Sequence, residues 1–253
     1  MATSLECVGL GVSTEEELNA LLEVAWPAAE PIAERGSKKV SRWTDPSGAR
    51  LTFTRTDGLL DSFIPSFKAP KGAWLRNLER VNDAVVQGEV ISKDGELLSR
   101  ISAEYENLAL LSTGEVQQWS GQASIVAFGA DVENFASQQA YLSSPRSVLA
   151  DNRRNSNSDP LVLGPQSFVS YDIFRGVENA DAYARVSGTV LGSSLHSVAA
   201  TGKSFLATRV WTDGFEITVC TPAQADTKPF EEGSILAGKV YLIVVIEDPA
   251  LLG

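Results

Sequence analysis

The spacing of apolar residues along the chain changes period several times, and each change predicts an element. Leu18, Leu21, Leu22 and Ala25 recur at i, i+3, i+4 and i+7, which puts them on one face of a helix. Ser13 reads as its N-cap with Glu16 three residues on, and Glu15, Glu16 and Glu17 place negative charge where the helix dipole favours it. Pro27 ends the helix near Ala25 or Trp26. Residues 7–12 (CVGLGV) read as a buried strand ahead of it, so the expected opening is strand then helix.

From residue 40 the period falls to two. Residues 40–43 read as a strand, Asp45-Pro46-Ser47-Gly48 suits a type I turn, and 51–54 alternate apolar and polar as a return strand. Asp57-Gly58 predicts another turn, and 59–67 a third strand that Pro65 confines to an edge or bulge. Residues 69–80 read as a turn followed by a short helix. Further strands are expected at 84–92, 97–111 and 116–128, with a short helix over 135–141. Residues 151–160 carry no apolar side chain and mark either a linker or a long surface loop. Beyond them, strands are expected at 183–191, 203–211, 215–221 and 235–247. Asp213-Gly214 joins two of these in a tight hairpin, and Gly192 to Ser197, with His196, reads as a loop. The run of consecutive apolar residues in the last strand implies burial on both faces or curvature into a barrel.

The segment 85–90 (VVQGEV) resembles 185–190 (RVSGTV), and Ser120-Gly121-Gln122-Ala123 resembles Ala237-Gly238-Lys239-Val240. Either the chain contains an internal duplication or these are chance likenesses between strands. The pattern from 182 to 247, with Gly188 inside its first strand, the Asp213-Gly214 hairpin, and Gly233 and Gly238 about its last strand, resembles an OB-fold. That resemblance implies a small closed five-stranded barrel, a fold that often binds oligonucleotides. Residues 5–12 (LECVGLGV) and 43–49 (WTDPSGA) are similar in outline to the start of a glyoxalase-type, vicinal-oxygen-chelate module. Metal-dependent members of that family carry a His or Gln ligand in the first strand. Cys7 stands there here, so the resemblance implies a metal-free relative used for binding or structure.

The fold class expected is therefore α+β and β-rich. An N-terminal α+β domain (1–145) and a linker or long loop (146–160) precede a C-terminal five-stranded OB-like β-barrel (161–253).

Composition narrows the chemistry. Among 253 residues there is one histidine, His196, and there are two cysteines, Cys7 and Cys220, 213 positions apart. Most nucleophilic and metal constellations draw on His or Cys, so no metal and no cofactor is expected. Both thiols lie in apolar surroundings and are expected to be buried and inert. A catalytic His196 would need a nucleophile and an orienting group close in space. Gly9 and Gly11 form a Gly-x-Gly without the third glycine of a dinucleotide loop. The carboxylate pairs Asp131/Glu133, Glu104/Glu106 and Glu231/Glu232 read as solvated surface.

With 32 acids against 21 bases, the net charge is −11, which disfavours nucleic acid and anionic membrane as partners. The N-terminus has no basic segment followed by an apolar run, and the expected compartment is the cytoplasm. The expected function is a non-catalytic binding or interaction protein. Its partner is another protein or a second copy of itself, with a small ligand also admitted. One alternative is an enzyme using carboxylates or a bound cofactor. Another is single-strand nucleic-acid binding through Phe205, Arg209, Trp211, Phe215 and Tyr241.

Overall fold

The computed structural model describes residues 3–112, 114, 116–149, 161–171 and 180–247, among which lie three α-helices, two 3-10 turns and fifteen strands. The chain opens with a single helical turn, α1 (Ser4–Cys7), not a strand. Thr3 and Glu6 form a capping box there and win the segment for the helix. The strand that the glyoxalase-like outline requires at 5–12 is therefore absent. Helix α2 (Glu15–Ala25) follows, capped by Thr14, one residue later than expected; the Ser13 amide donates to Glu17 Oε2.

Four strands then form an antiparallel meander: β1 (Glu30–Arg35), β2 (Lys38–Thr44), β3 (Ala49–Thr56) and β4 (Leu59–Phe67). Pro65 sits in β4, at the edge of this sheet, where its missing N–H costs no ladder bond. The expected short helix at 69–80 is instead strand β5 (Ala73–Arg80). Its buried Ala73, Leu75 and Leu78 break the period of two because a bulge at Asn77 (φ 54°) inserts a residue. Next come β6 (Val86–Ile91), β7 (Leu97–Tyr105) and the 20-residue β8 (Val116–Phe135), then helix α3 (Gln138–Leu142). Two-residue strands β9 (Val148–Leu149) and β10 (Leu161–Val162) pair with each other. The chain closes with β11 (Ser167–Ser170), β12 (Tyr183–Ser197), β13 (Ser204–Thr212), β14 (Phe215–Ala223) and β15 (Ile235–Val245).

Strands β5–β8 and β11–β15 build one nine-stranded mixed sheet in the order β11-β12-β13-β14-β8-β15-β7-β6-β5, and two further pairings, β12–β15 and β8–β5, fold it back on itself. The pairings close two five-membered circuits. One runs β5-β6-β7-β15-β8 and the other β12-β13-β14-β8-β15, so β8 and β15 belong to both. The segment 182–247 thus holds four strands, and the fifth member of its circuit is β8, from far upstream. The division expected at 146–160 does not coincide with a break in the sheet, because β8 and β15 are hydrogen-bonded along most of their length. The polar stretch 151–160 lies outside the described residues.

The two circuits correspond strand for strand. An offset of 117 residues carries Gly121, opposite Leu75, onto Gly238, opposite Val186. It also carries Ala123, opposite Ala73, onto Val240, opposite Ala184. Of the two sequence likenesses, the one at 120–123 and 237–240 joins equivalent strands. The other, at 85–90 and 185–190, joins β6 to β12, which occupy different places.

Alternation along the shared strands explains their continuous apolar runs. Ile125, Ala127, Leu242 and Val244 point into the main core with residues of both circuits. Val126, Phe128, Ile243 and Val245 point the other way, into a second core closed by α1, α2 and the four-stranded sheet. No helix among the described residues is long and apolar enough to cross a membrane.

Candidate functional site

A cleft of about 360 Å³ opens where the end of β4 and the following segment (Phe67, Lys68, Pro70) lie over the outward faces of β12, β13 and β14. Those strands contribute Gly192, Ser193, Ser194, His196, Ala207, Arg209 and Thr218. The residues read as a loop at 192–197 are part of β12. A bulge between Val190 and Gly192 bends the strand, and pairing with β13 then resumes from Gly192 to Ser197.

His196 is held at both ring nitrogens and packed against two phenylalanines. Its ring stacks on Phe205 (centroids 5.1 Å, 20°) and meets the edge of Phe67 (5.4 Å, 78°). Nδ1 lies 2.9 Å from the Ser47 carbonyl oxygen and Nε2 lies 2.8 Å from Ser194 Oγ. A carbonyl only accepts, so Nδ1 carries the proton; in the neutral ring the Nε2 lone pair then accepts from the Ser194 hydroxyl. The two residues lie two apart on one strand, which puts both side chains on the same face.

The Ser47 carbonyl belongs to the Asp45-Pro46-Ser47-Gly48 turn, which forms as expected: the Gly48 amide donates to the Asp45 carbonyl at 2.8 Å. Gly48 (φ 93°) is needed twice, for its left-handed backbone and because a Cβ there would meet the Phe67 ring at 2.8 Å. Asp45 is buried, and its carboxylate accepts from the amides of Ser47 (2.9 Å), Ala199 (3.2 Å) and Ala200 (3.3 Å). One carboxylate therefore ties the turn that orients His196 to the loop leaving β12.

Arg209 is gripped at Nε and Nη2 by both oxygens of Glu216, at 2.7 and 2.8 Å. That pairing holds the guanidinium above its ordinary pKa.

A smaller crevice of about 80 Å³ lies between the N-terminal turn and β15, lined by Cys7, Asp131, Tyr183, Lys239 and Tyr241 among others. Lys239 Nζ sits 3.9 Å above the Tyr183 ring, which meets the Tyr241 ring edge-on. The Tyr241 hydroxyl donates to Glu104 Oε2 at 3.1 Å. Burial pushes both the Glu104 carboxyl and the Tyr241 phenol above their ordinary values.

The five residues expected as one surface do not converge. Phe205 is buried in the second core and Phe215 in the main core. Tyr241 lies on β15 and is bonded to Glu104 of β7. Only Arg209 and Trp211 stand together, on the outward face of β13, with Trp211 39 % exposed.

The carboxylate pairs are not simply solvated. Arg146 binds Asp131 at 2.5 and 3.0 Å and approaches Glu133 at 3.4 Å, and its hydrogen bonds hold Asp131 below the usual carboxylate range. Glu106 is buried, accepts from Ser66 Oγ at 2.5 Å and pairs with Arg42. Glu231 and Glu232 are exposed.

Cys7 and Cys220 are free, buried and in the same core. Burial pushes the Cys7 thiol up to about 12 and the Cys220 thiol well above its ordinary value. Among the described residues, no group of three or more His, Cys, Asp or Glu side chains is placed to hold a metal ion.

Local sequence carried no sign that Ser47, Lys68 or Ser194 belongs with His196. The turn and the histidine are 149 residues apart and meet only through the packing of the meander on the sheet. No protein-family model, curated protein or solved structure matches the chain.

Proposed function

We propose that the chain is a cytoplasmic binding protein that holds a small polar ligand in the cleft between Phe67–Pro70 and strands β12–β14. The observation that carries this is the convergence in one concave space of an imidazole, two hydroxyl side chains (Ser194, Thr218), Lys68 and the Glu216-bound Arg209, beside apolar Phe67, Pro70 and Ala207. The β12-β13-β14-β8-β15 circuit is read as an OB-like barrel whose fifth strand comes from the other half of the chain. In OB-folds the face of the second and third strands takes the ligand. Their counterparts here are β13 and β14, which supply Ala207, Arg209 and Thr218 to the cleft.

The chain has one histidine, so its imidazole signals in an NMR spectrum belong to His196 alone. Titrating mononucleotides, monosaccharides, dicarboxylates and short-chain amides should reveal at least one class that shifts those signals saturably. Arg209→Ala should weaken that binding. If no class in the panel perturbs the ring, the cleft is not a ligand site.

A second reading is single-strand nucleic-acid binding on β13, which the exposed Trp211 beside Arg209 favours. Against it stand the acidic charge and the engagement of Arg209 by Glu216. Mixed-sequence DNA and RNA oligonucleotides at about 0.15 M salt decide it. Micromolar or tighter binding that falls steeply with salt and is lost in Trp211→Ala would replace the small ligand with a strand.

A further inference from the structure

We propose that Ser194 is a nucleophile and His196 its general base, acting on a small carboxylic ester bound in the cleft; this rests on the cleft being a ligand site, as argued above. The arrangement needed is a hydroxyl donating to the free nitrogen of a neutral imidazole whose other nitrogen is held by an acceptor. All three parts are present: Ser194 Oγ at 2.8 Å from Nε2, and the Ser47 carbonyl at 2.9 Å from Nδ1.

Three features separate this pair from a chance contact on a strand surface. The imidazole cannot rotate away, because Phe205 stacks on it and the edge of Phe67 abuts it. The acceptor behind it is itself held, because Asp45 fixes Ser47 and the 199–200 loop at once. The hydroxyl is exposed and lines the cleft of about 360 Å³, which Lys68 and Arg209 also line. Of these two, Arg209 is already paired with Glu216, so Lys68 is the lining cation left to face an oxyanion. The third member is a carbonyl dipole and not a carboxylate, so it stabilises the imidazolium less than an ionised partner would.

In the first step, Ser194 Oγ bonds to the ester carbonyl carbon while its proton moves to His196 Nε2 and the carbonyl π pair moves to oxygen. Collapse of that intermediate breaks the C–O bond to the alcohol, which leaves with the proton from Nε2. Acyl-Ser194 remains. Water then attacks the acyl carbon, giving its proton to Nε2, and the acid departs as the proton returns to Ser194. The net reaction is ester plus water to acid plus alcohol, and no other reactant is needed.

The test uses the whole chain and two probes. A fluorophosphonate should add one phosphonyl group to the intact protein, mapped by peptide mass spectrometry to Ser194. Turnover of 4-nitrophenyl acetate should exceed the rate in buffer alone. Ser194→Ala should abolish the adduct, and His196→Gln should slow both reactions by about 100-fold or more. Ser194 is exposed, so its loss leaves the fold intact, and circular dichroism checks that. Absence of an adduct, an adduct on another residue, or full turnover in Ser194→Ala would overturn the proposal. If a panel ligand still shifts the imidazole signals while no adduct forms, the chemistry fails and the binding reading stands. If neither occurs, both fail.

Discussion

Val126 and Ile243 lie directly opposite each other where β8 and β15 pair antiparallel, and the 117-residue offset that relates the two circuits carries the first onto the second. The correspondence therefore maps this pair onto itself. Val126 also lies beside Thr218 of β14, and Ile243 beside Glu104 of β7, in the only two parallel pairings among the described strands. Each shared strand pairs antiparallel with the first strand of its own half and parallel with the third strand of the other. Neither half can complete its circuit alone.

Fragments 1–149 and 161–253, expressed separately, should therefore fail to give cooperative thermal unfolding, and mixing them should restore it. Trypsin cleavage at Arg153 or Arg154, within the polar stretch, should leave a nicked protein that still elutes as one species. Two fragments that each unfold cooperatively on their own would show that the halves are independent after all.

Gly238→Ala should be destabilising although the residue has ordinary strand geometry. An added Cβ would lie 2.2 Å from the Asp131 carbonyl oxygen and 2.7 Å from Val132 Cα, both backbone atoms that cannot turn aside. Overpacking of this kind costs about 1–3 kcal/mol. At Gly192, with nothing within 4 Å, the same change should be near neutral. Urea denaturation of the two variants makes the comparison.

Removing Glu106 should be among the most damaging single changes. It is buried between Ser66 and Arg42, whose side chain is itself only 13 % exposed. Glu106→Ala leaves that charge with only the half-exposed Glu247, 3.6 Å away, at the edge of the four-stranded sheet, at a cost of up to about 3–5 kcal/mol. Arg42→Met in the same chain should recover much of the loss, because the uncompensated charge goes with it. A double-mutant cycle in urea reads both effects.

Stability should also depend on pH through Glu104. Burial raises its carboxyl above the ordinary 4.5, only partly offset by the Tyr241 hydroxyl. The folded state binds this proton more tightly than the unfolded chain does. Its contribution is therefore fully present below 4.5 and is lost as pH rises through the higher folded value. Glu104→Gln should flatten the fall in unfolding free energy over that window, followed by denaturant titrations at successive pH values. An unchanged slope would mean the carboxyl is not desolvated.

The chain's local chemistry was enough for the elements whose signals are local. The α2 face is set by Leu18, Leu21, Leu22 and Ala25, and the hairpins by Asp45-Pro46-Ser47-Gly48, Asp57-Gly58 and Asp213-Gly214, because spacing and left-handed propensity act within a few residues. The run over Val240 to Ile246 likewise announced either burial on both faces or curvature into a barrel, and the strand is buried on both faces. Where one inserted residue breaks a strand's period, as at Asn77 in β5 and beside Leu191 in β12, the pattern misled, and His196 was read into a loop. Strand partners were beyond its reach. An edge hydrogen-bonds with any strand of suitable length, so nothing in 182–247 says that its circuit is completed by β8 and not by a strand of its own. The cleft has the same origin. Asp45, Ser47 and Phe67 meet Ser194 and His196 only because the meander packs against Val126 and Ile243, where the two halves of the sheet interlock.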